Sequence, residues 1–164
     1  MLTRRAFAFL ANFRKSPPSS TVRLASFGGG GMAWSTIRGL AAHPKVKLVA
    51  VAEVDDARVN KSMDASVRVH KDWRRMLDAH HKELDAACVG TPDHLHAVNL
   101  MSAMQLDLHV YGQKPLAHDI WEIRKLTESA ARKRLVTQMG IQQHASSEYR
   151  SAVAAIKSGV IGEV

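Results

Sequence analysis

Val22-Arg23-Leu24-Ala25-Ser26-Phe27-Gly28-Gly29-Gly30-Gly31-Met32-Ala33-Trp34-Ser35-Thr36-Ile37 is the stretch on which the fold turns. It opens with a compact apolar run, Val22 to Phe27, of the kind that forms a strand buried on both faces. Four glycines follow, and then an amphipathic pattern over Met32 to Ala42 predicts a helix. The glycines fit the spacing G-x-G-x-x-A, with Gly28, Gly30 and Ala33 at the marked positions. Gly28 permits a tight turn, and Gly30 lets another group approach the backbone. Ala33 is small enough for helix and strand to pack closely. The following helix turns its free amides, Gly31 and Met32 among them, toward whatever sits at the turn. Four consecutive glycines also spell an ordinary flexible loop, so this stretch needs support from elsewhere in the chain.

The alternation continues outward. Strands are predicted at Lys47 to Ala52, Ala86 to Val89, Leu108 to Tyr111 and Leu135 to Gln138, with a weaker one at Val67 to Val69. Helices are predicted at Lys71 to Ala79, His94 to Met104, Ile120 to Arg132 and Ser147 to Lys157. Strand–helix alternation with apolar rather than alternating strands implies an α/β fold. The expected form is a doubly wound, mostly parallel sheet with helices on both faces, of the Rossmann type. A flavodoxin-like layer shares this periodicity, so the pattern does not by itself choose a ligand. The segment from Asp55 to Ser66 is short for the helix expected between the second and third strands.

Glu53 supplies the missing support. It stands 20 residues after Ala33 at the end of the second strand. There a carboxylate accepts hydrogen bonds from an adenosine ribose. Glycine turn and carboxylate together point to a dinucleotide, although many strands end in an unremarkable carboxylate. A negative charge at Glu53 repels a 2′-phosphate, which favours NAD over NADP. Arg58 is the residue through which such a phosphate would be neutralised.

Two later segments narrow the reading further. One is Val89-Gly90-Thr91-Pro92-Asp93-His94-Leu95-His96, and the other is His109-Val110-Tyr111-Gly112-Gln113-Lys114-Pro115-Leu116. They resemble the T-P-x-x-x-H and E-K-P signatures of the Gfo/Idh/MocA oxidoreductases, and the likeness runs in unbroken order from about residue 22 to the end. The resemblance implies hydride transfer between a nicotinamide and a sugar, polyol or related hydroxyl compound. It places Thr91 and Pro92 at a helix start beside the cofactor, Thr91 or Asp93 serving as the cap. It also places His96 near the phosphate and ribose side, and Gln113 and Lys114 near the nicotinamide. Lys114 is then the catalytic candidate, an ammonium able to hydrogen-bond a substrate oxygen as charge builds there. Gln113 departs from the family's Glu: it keeps hydrogen-bonding capacity and removes a charge beside Lys114. The resemblance further implies a second sheet domain that supplies substrate contacts and the oligomer interface. On this reading residues 21–145 form the nucleotide-binding domain and residues 146–164 a helix leading toward a domain beyond this chain.

The bulk properties bound the alternatives. The chain of 164 residues carries a net charge of +8. Eight basic and no acidic side chains lie before Glu53, and fifteen of each sign from Glu53 onward. The excess therefore belongs to the N-terminal arm and its neighbourhood rather than to a stripe across the fold, which disfavours nucleic acid as a partner. Residues 1–20 read as a basic, disordered leader in which Thr3-Arg4-Arg5-Ala6-Phe7 is a degenerate twin-arginine pattern. The interrupted apolar run after it favours the cytoplasm, with export to the periplasm left open. No apolar stretch reaches the roughly 18 residues of a membrane span. The lone Cys88 carries no mark of an oxidising compartment. Nine histidines invite a metal reading. His94 and His96 share no helical face, however, and His80-His81 reads as solvated, so no metal site is expected. Two other functions stay open beside the oxidoreductase: a non-catalytic nucleotide-binding remnant or regulatory module, and a nucleic-acid binder using the basic arm.

Overall fold

A computed structural model describes residues 21–60 and 62–162. The expected leader over residues 1–20 lies outside the described residues. Six strands form one parallel sheet in the order β3-β2-β1-β4-β5-β6. They are β1 (Val22–Phe27), β2 (Val46–Ala52), β3 (Arg68–His70), β4 (Ala86–Val89), β5 (His109–Gln113) and β6 (Thr137–Gly140). The helices are α1 (Gly31–Ala41), α2 (Trp73–His80), α3 (His96–Gln105), α4 (Ile120–Lys133) and α5 (Ser147–Lys157). This is the doubly wound α/β architecture read from the alternation of apolar runs and amphipathic segments.

Side chains alternate across the sheet, so the two faces build two cores. Ala25 and Phe27 of β1 and Ala87 and Val89 of β4 face one side, where they meet Met76 and Leu77 of α2, Leu100 and Met104 of α3 and Leu126 of α4. Val22, Leu24, Ala86 and Cys88 face the other side, with Leu40 of α1. Phe27 and Leu100 are wholly buried, and each such side chain stabilises the fold by about 1.5–3 kcal/mol. Cys88 lies at the centre of the sheet, and burial pushes its thiol up to about 12. It is chemically inert in the folded chain.

Three helix starts are closed by side chains. Asp72, Asp119 and Ser146 accept from the backbone N–H of Arg74, Glu122 and Tyr149, which satisfies donors that a helix start leaves open. Helix α1 begins instead at Gly30, which has no side chain to offer.

Among the described residues, no α-helix joins β2 to β3. A single 3-10 turn at Asp56–Arg58 is followed by loop. Asp55, Asn60 and Asp64 each accept from the N–H two residues on, at 2.9, 2.9 and 2.7 Å. Such turns compete with helical hydrogen bonding and hold the segment as a folded strap.

Candidate functional site

In this sheet the chain reverses its winding between β1 and β4, at the carboxyl ends of the strands, where doubly wound sheets open a crevice for ligands. The register pairs Phe27 with Ala52 and with Val89, and Val89 with Gly112. The residues just beyond, at Gly28, Glu53, Gly90 and Gln113, therefore lie along one edge of the sheet.

Gly28 makes the turn with φ +98°, a conformation that L side chains rarely adopt. A Cβ there would also stand 3.0 Å from the carbonyl oxygen of Gly90 and 3.1 Å from Ala33 Cβ. Gly90 is tighter still, since a Cβ on it would meet Ala33 Cβ at 2.7 Å and Ala33 Cα at 2.8 Å. Gly28, Ala33 and Gly90 thus form one close-packed contact that sets α1 directly onto the β4 end. Around Gly31 a Cβ would meet nothing within 4 Å, and Met32 is exposed. The first turn of α1 is open, uncapped by a side chain and without an acidic residue. An anionic diphosphate fits such a start through backbone N–H donors and the helix dipole.

Glu53 is buried at the end of β2. Its Oε2 accepts from the Gly29 N–H at 3.0 Å and its Oε1 from the Asp55 N–H at 3.2 Å. The carboxylate ties the glycine turn to the strap, a role that its position in the sequence did not suggest. Each oxygen keeps a second lone pair for a further donor. The strap passes over the turn, where a Cβ on Gly30 would lie 2.9 Å from the Arg58 carbonyl oxygen. Asp56 to Asn60 and Val69 line an open hollow next to it. Arg58 is exposed, and its Nε sits 3.8 Å from Asp55 Oδ2.

Thr91 and Pro92 follow Gly90, as expected, but neither Thr91 nor Asp93 caps the helix. Pro92 precedes a 3-10 turn at Asp93–Leu95 without a side-chain cap, and α3 starts two residues later than predicted, at His96. The Thr91 hydroxyl is engaged by Asn99 Nδ2 at 3.0 Å. The sequence reading put His96 beside phosphate and ribose. It is instead 1% exposed, with Nδ1 2.6 Å from the Pro115 carbonyl oxygen and Nε2 2.7 Å from that of Thr91. Both ring nitrogens are spent on the protein itself.

At the end of β5, Gln113 is buried and donates from Nε2 to Thr36 Oγ1 of α1 at 2.7 Å. Thr36 in turn donates to the Met32 carbonyl oxygen at 3.0 Å. Lys114, next along, is exposed. Its ammonium makes no ion pair among the described residues, and the peptide bond to Pro115 is cis. Glu53, the glycine turn, Thr91, Gln113 and Lys114 are brought along one edge, and Asn99 and Thr36 join them as residues the sequence reading did not single out.

The histidine expected to be solvated is not. His80 Nε2 lies 3.1 Å from His70 Nε2, and its Nδ1 lies 2.7 Å from Glu83 Oε1. Burial, and then the His80 charge, hold His70 below the ordinary histidine range. His81 Nδ1 meets the Leu77 carbonyl oxygen at 2.9 Å. His144 stacks on Tyr149. Among the described residues, no group of three or more His, Cys, Asp or Glu side chains is placed to hold a metal ion. No helix of the described residues is long and apolar enough to cross a membrane.

Residues 22–141 match the Gfo/Idh/MocA oxidoreductase family, NAD-binding Rossmann fold. Among curated relatives, inositol 2-dehydrogenase 1 of Paenarthrobacter aurescens is 25% identical over 150 residues, covering 89% of this chain and 44% of its own. Among solved structures, myo-inositol 2-dehydrogenase from Lactobacillus plantarum superposes with a TM-score of 0.74 at 23% identity, over 88% of this chain and 43% of its own. The scyllo-inositol dehydrogenase from Lactobacillus casei, solved with bound NAD(H) and scyllo-inositol, gives a TM-score of 0.72 at 25% identity, over 88% and 43%. The chain spans less than half the length of these relatives.

Proposed function

We propose, for a chain that belongs to the Gfo/Idh/MocA oxidoreductase family, that it is the NAD-binding part of a dehydrogenase acting on a sugar, polyol or related hydroxyl compound. The open start of α1, capped by no side chain and facing the Gly28 turn, carries this reading. A diphosphate would lie on the amides of Gly30, Gly31 and Met32, with Ala33 and Gly28 keeping the helix close. The adenosine ribose would meet Glu53, and Thr91 and Gln113 would flank the nicotinamide end.

The cofactor preference follows from charge. Glu53 ends β2, and Asp55 and Asp56 begin the strap beside it. The Arg58 guanidinium already faces Asp55, and the Lys71 ammonium pairs with Asp56. With both cations so engaged, the buried Glu53 carboxylate makes a 2′-phosphate costly and supports NAD over NADP.

A bound nicotinamide supplies hydride exchange with the substrate carbon. Lys114, exposed and paired with no carboxylate among the described residues, donates a hydrogen bond to the substrate oxygen and favours the charge that builds on it. The relatives' names, inositol dehydrogenases among them, support a polyol substrate.

Calorimetric titration of the folded chain with NADH and NADPH tests the reading. NADH is expected to bind at least tenfold more tightly than NADPH, and Glu53→Ala to narrow the gap. A folded chain that binds neither at millimolar concentration refutes the proposal.

A further inference from the structure

Gln113 ends β5 with its side chain in a slot to which α1 and β6 each contribute a wall. It is 4% exposed, and its amide meets α1 along one edge and β6 across one face. Along the edge, Nε2 donates to Thr36 Oγ1 at 2.7 Å, and the Thr36 hydroxyl donates to the Met32 carbonyl oxygen at 3.0 Å. A hydroxyl has one proton, and a carbonyl oxygen has none to return. With its proton given to Met32, Thr36 turns only lone pairs toward Gln113, so the amide presents its N–H there and not its C=O. Across the face lies Gly140, the last residue of β6. A Cβ on Gly140 would stand 2.9 Å from Gln113 Nε2, 3.0 Å from Cδ and 3.0 Å from Oε1. Near-equal distances to all three atoms put that Cβ over the amide plane, so any larger residue pushes the amide out of its slot. Gly140 does not share the positive φ of Gly28 and Gly31. Space for the amide, rather than a special backbone conformation, is what calls for glycine here.

An amide is planar, so fixing its nitrogen fixes its oxygen, which points away from Thr36. Among the described residues no group donates to Gln113 Oε1. Nor is that oxygen sealed in the core, where the atoms left without a partner are Asn99 Oδ1 and Ser129 Oγ. A neutral acceptor is thus held in one orientation at the carboxyl edge of the sheet, one residue before Lys114. We infer that Thr36 and Gly140 are positioning residues, which aim Gln113 Oε1 to accept a hydrogen bond from an N–H or O–H of the nicotinamide nucleoside. The inference rests on the cofactor reading given above. Two groups at that end of the cofactor have the required chemistry, the carboxamide N–H and the hydroxyls of the attached ribose. An acceptor already held in place meets such a donor without losing rotamer freedom on binding, and this is how the two residues contribute to affinity.

Calorimetric titration of the full chain with three nested probes tests the role. They are NADH, then ADP-ribose, which lacks the nicotinamide ring, then ADP, which lacks the second ribose as well. Thr36→Val keeps the shape of the side chain and removes the hydroxyl. It is expected to bind NADH roughly tenfold more weakly and ADP unchanged, and Thr36→Ser is expected to restore NADH binding. Gly140→Ala displaces the amide while leaving Thr36 intact, so it is expected to act alike and serves where Thr36→Val fails to fold. In Gln113→Met, which has no amide to orient, adding Thr36→Val is expected to change NADH affinity no further. A loss confined to NADH assigns the donor to the carboxamide, and an equal loss for ADP-ribose assigns it to the ribose. An ADP affinity that falls with that of NADH shows α1 disturbed as a whole and overturns the inference, as does a folded Thr36→Val chain that binds NADH like the wild type. A wild-type chain that binds none of the three probes overturns the cofactor reading, and this role with it.

Discussion

Replacing Gly90 by Ala places one methyl group where the structure leaves no room. The added carbon would lie 2.7 Å from Ala33 Cβ, 2.8 Å from Ala33 Cα and 3.3 Å from Ala33 N. Two of these three atoms are backbone in the first turn of α1, so no rotamer change relieves the contact and α1 itself must move. Overpacking of this kind costs about 1–3 kcal/mol, and a backbone neighbour places Gly90→Ala near the top, about 2–3 kcal/mol. For a domain of this size the melting temperature falls by roughly 6–10 °C. Moving α1 also displaces the amides of Gly31 and Met32, so NADH affinity falls with stability. The double variant Gly90→Ala/Ala33→Gly removes the 2.7 Å contact with Ala33 Cβ and keeps the 2.8 Å contact with the Cα of residue 33. It retains the backbone clash and adds the cost of a glycine in the helix, about 1 kcal/mol, and so melts no higher than the single variant. Circular-dichroism melts and calorimetric titrations of the four chains form a double-mutant cycle. A Gly90→Ala chain that melts within a degree of the wild type, or a double variant that melts like the wild type, refutes the packing argument.

Other perturbations separate function from stability. Asn99→Leu removes a buried unpartnered oxygen together with the bond to Thr91. Thermal stability is expected to hold or rise by up to about 1 kcal/mol while NADH binding weakens, and a loss of both together argues that Asn99 is merely structural. His70 is held below the ordinary histidine range by burial and by His80, so the unfolded chain takes up its proton first as pH falls. Stability from His70 is therefore full above its unfolded value near 6.5 and declines below it, down to the lower folded value. Melts from pH 7.5 to 5 are expected to show this slope and to lose part of it in His70→Gln; equal slopes in both chains contradict the assignment. Gln113→Glu forces Thr36 to choose between the new carboxylate and the Met32 carbonyl. It is expected to cost about 1–2 kcal/mol at pH 8 and to recover toward pH 5 as the buried acid takes a proton; a loss independent of pH contradicts this.

The chain itself announced the strand–turn–helix at Val22 to Ala41 because its signals are local: an apolar run, glycines, then a helical stripe. Boundaries failed where polarity misled. The last strands sit later than the apolar runs suggested. Leu135, expected to open β6, turns its N–H back to the Ala130 carbonyl at 2.9 Å and packs as the close of α4. In β5 the polar ends belong to the strand because they have partners: His109 Nδ1 accepts from the Val136 N–H at 3.0 Å and Gln113 reaches Thr36. Such long-range partners leave no trace in a hydropathy pattern. Asn99 does leave one, a polar residue one turn beyond His96 on the stripe of Leu100 and Ala103, although a helical pattern tolerates one polar residue there. The burial of His96 had no local signal at all.

Cys88 gives this fold a built-in clock. The chain has one cysteine, and it lies wholly buried in β4 with strands on either side. A thiol reagent reaches it only when the central sheet opens, so its labelling rate reports the rarest opening of the domain. Fraying of the strap or of α5 leaves that rate unchanged. Labelling slowed by NADH would measure how strongly the cofactor braces the sheet from its edge, through a residue that touches neither cofactor nor substrate.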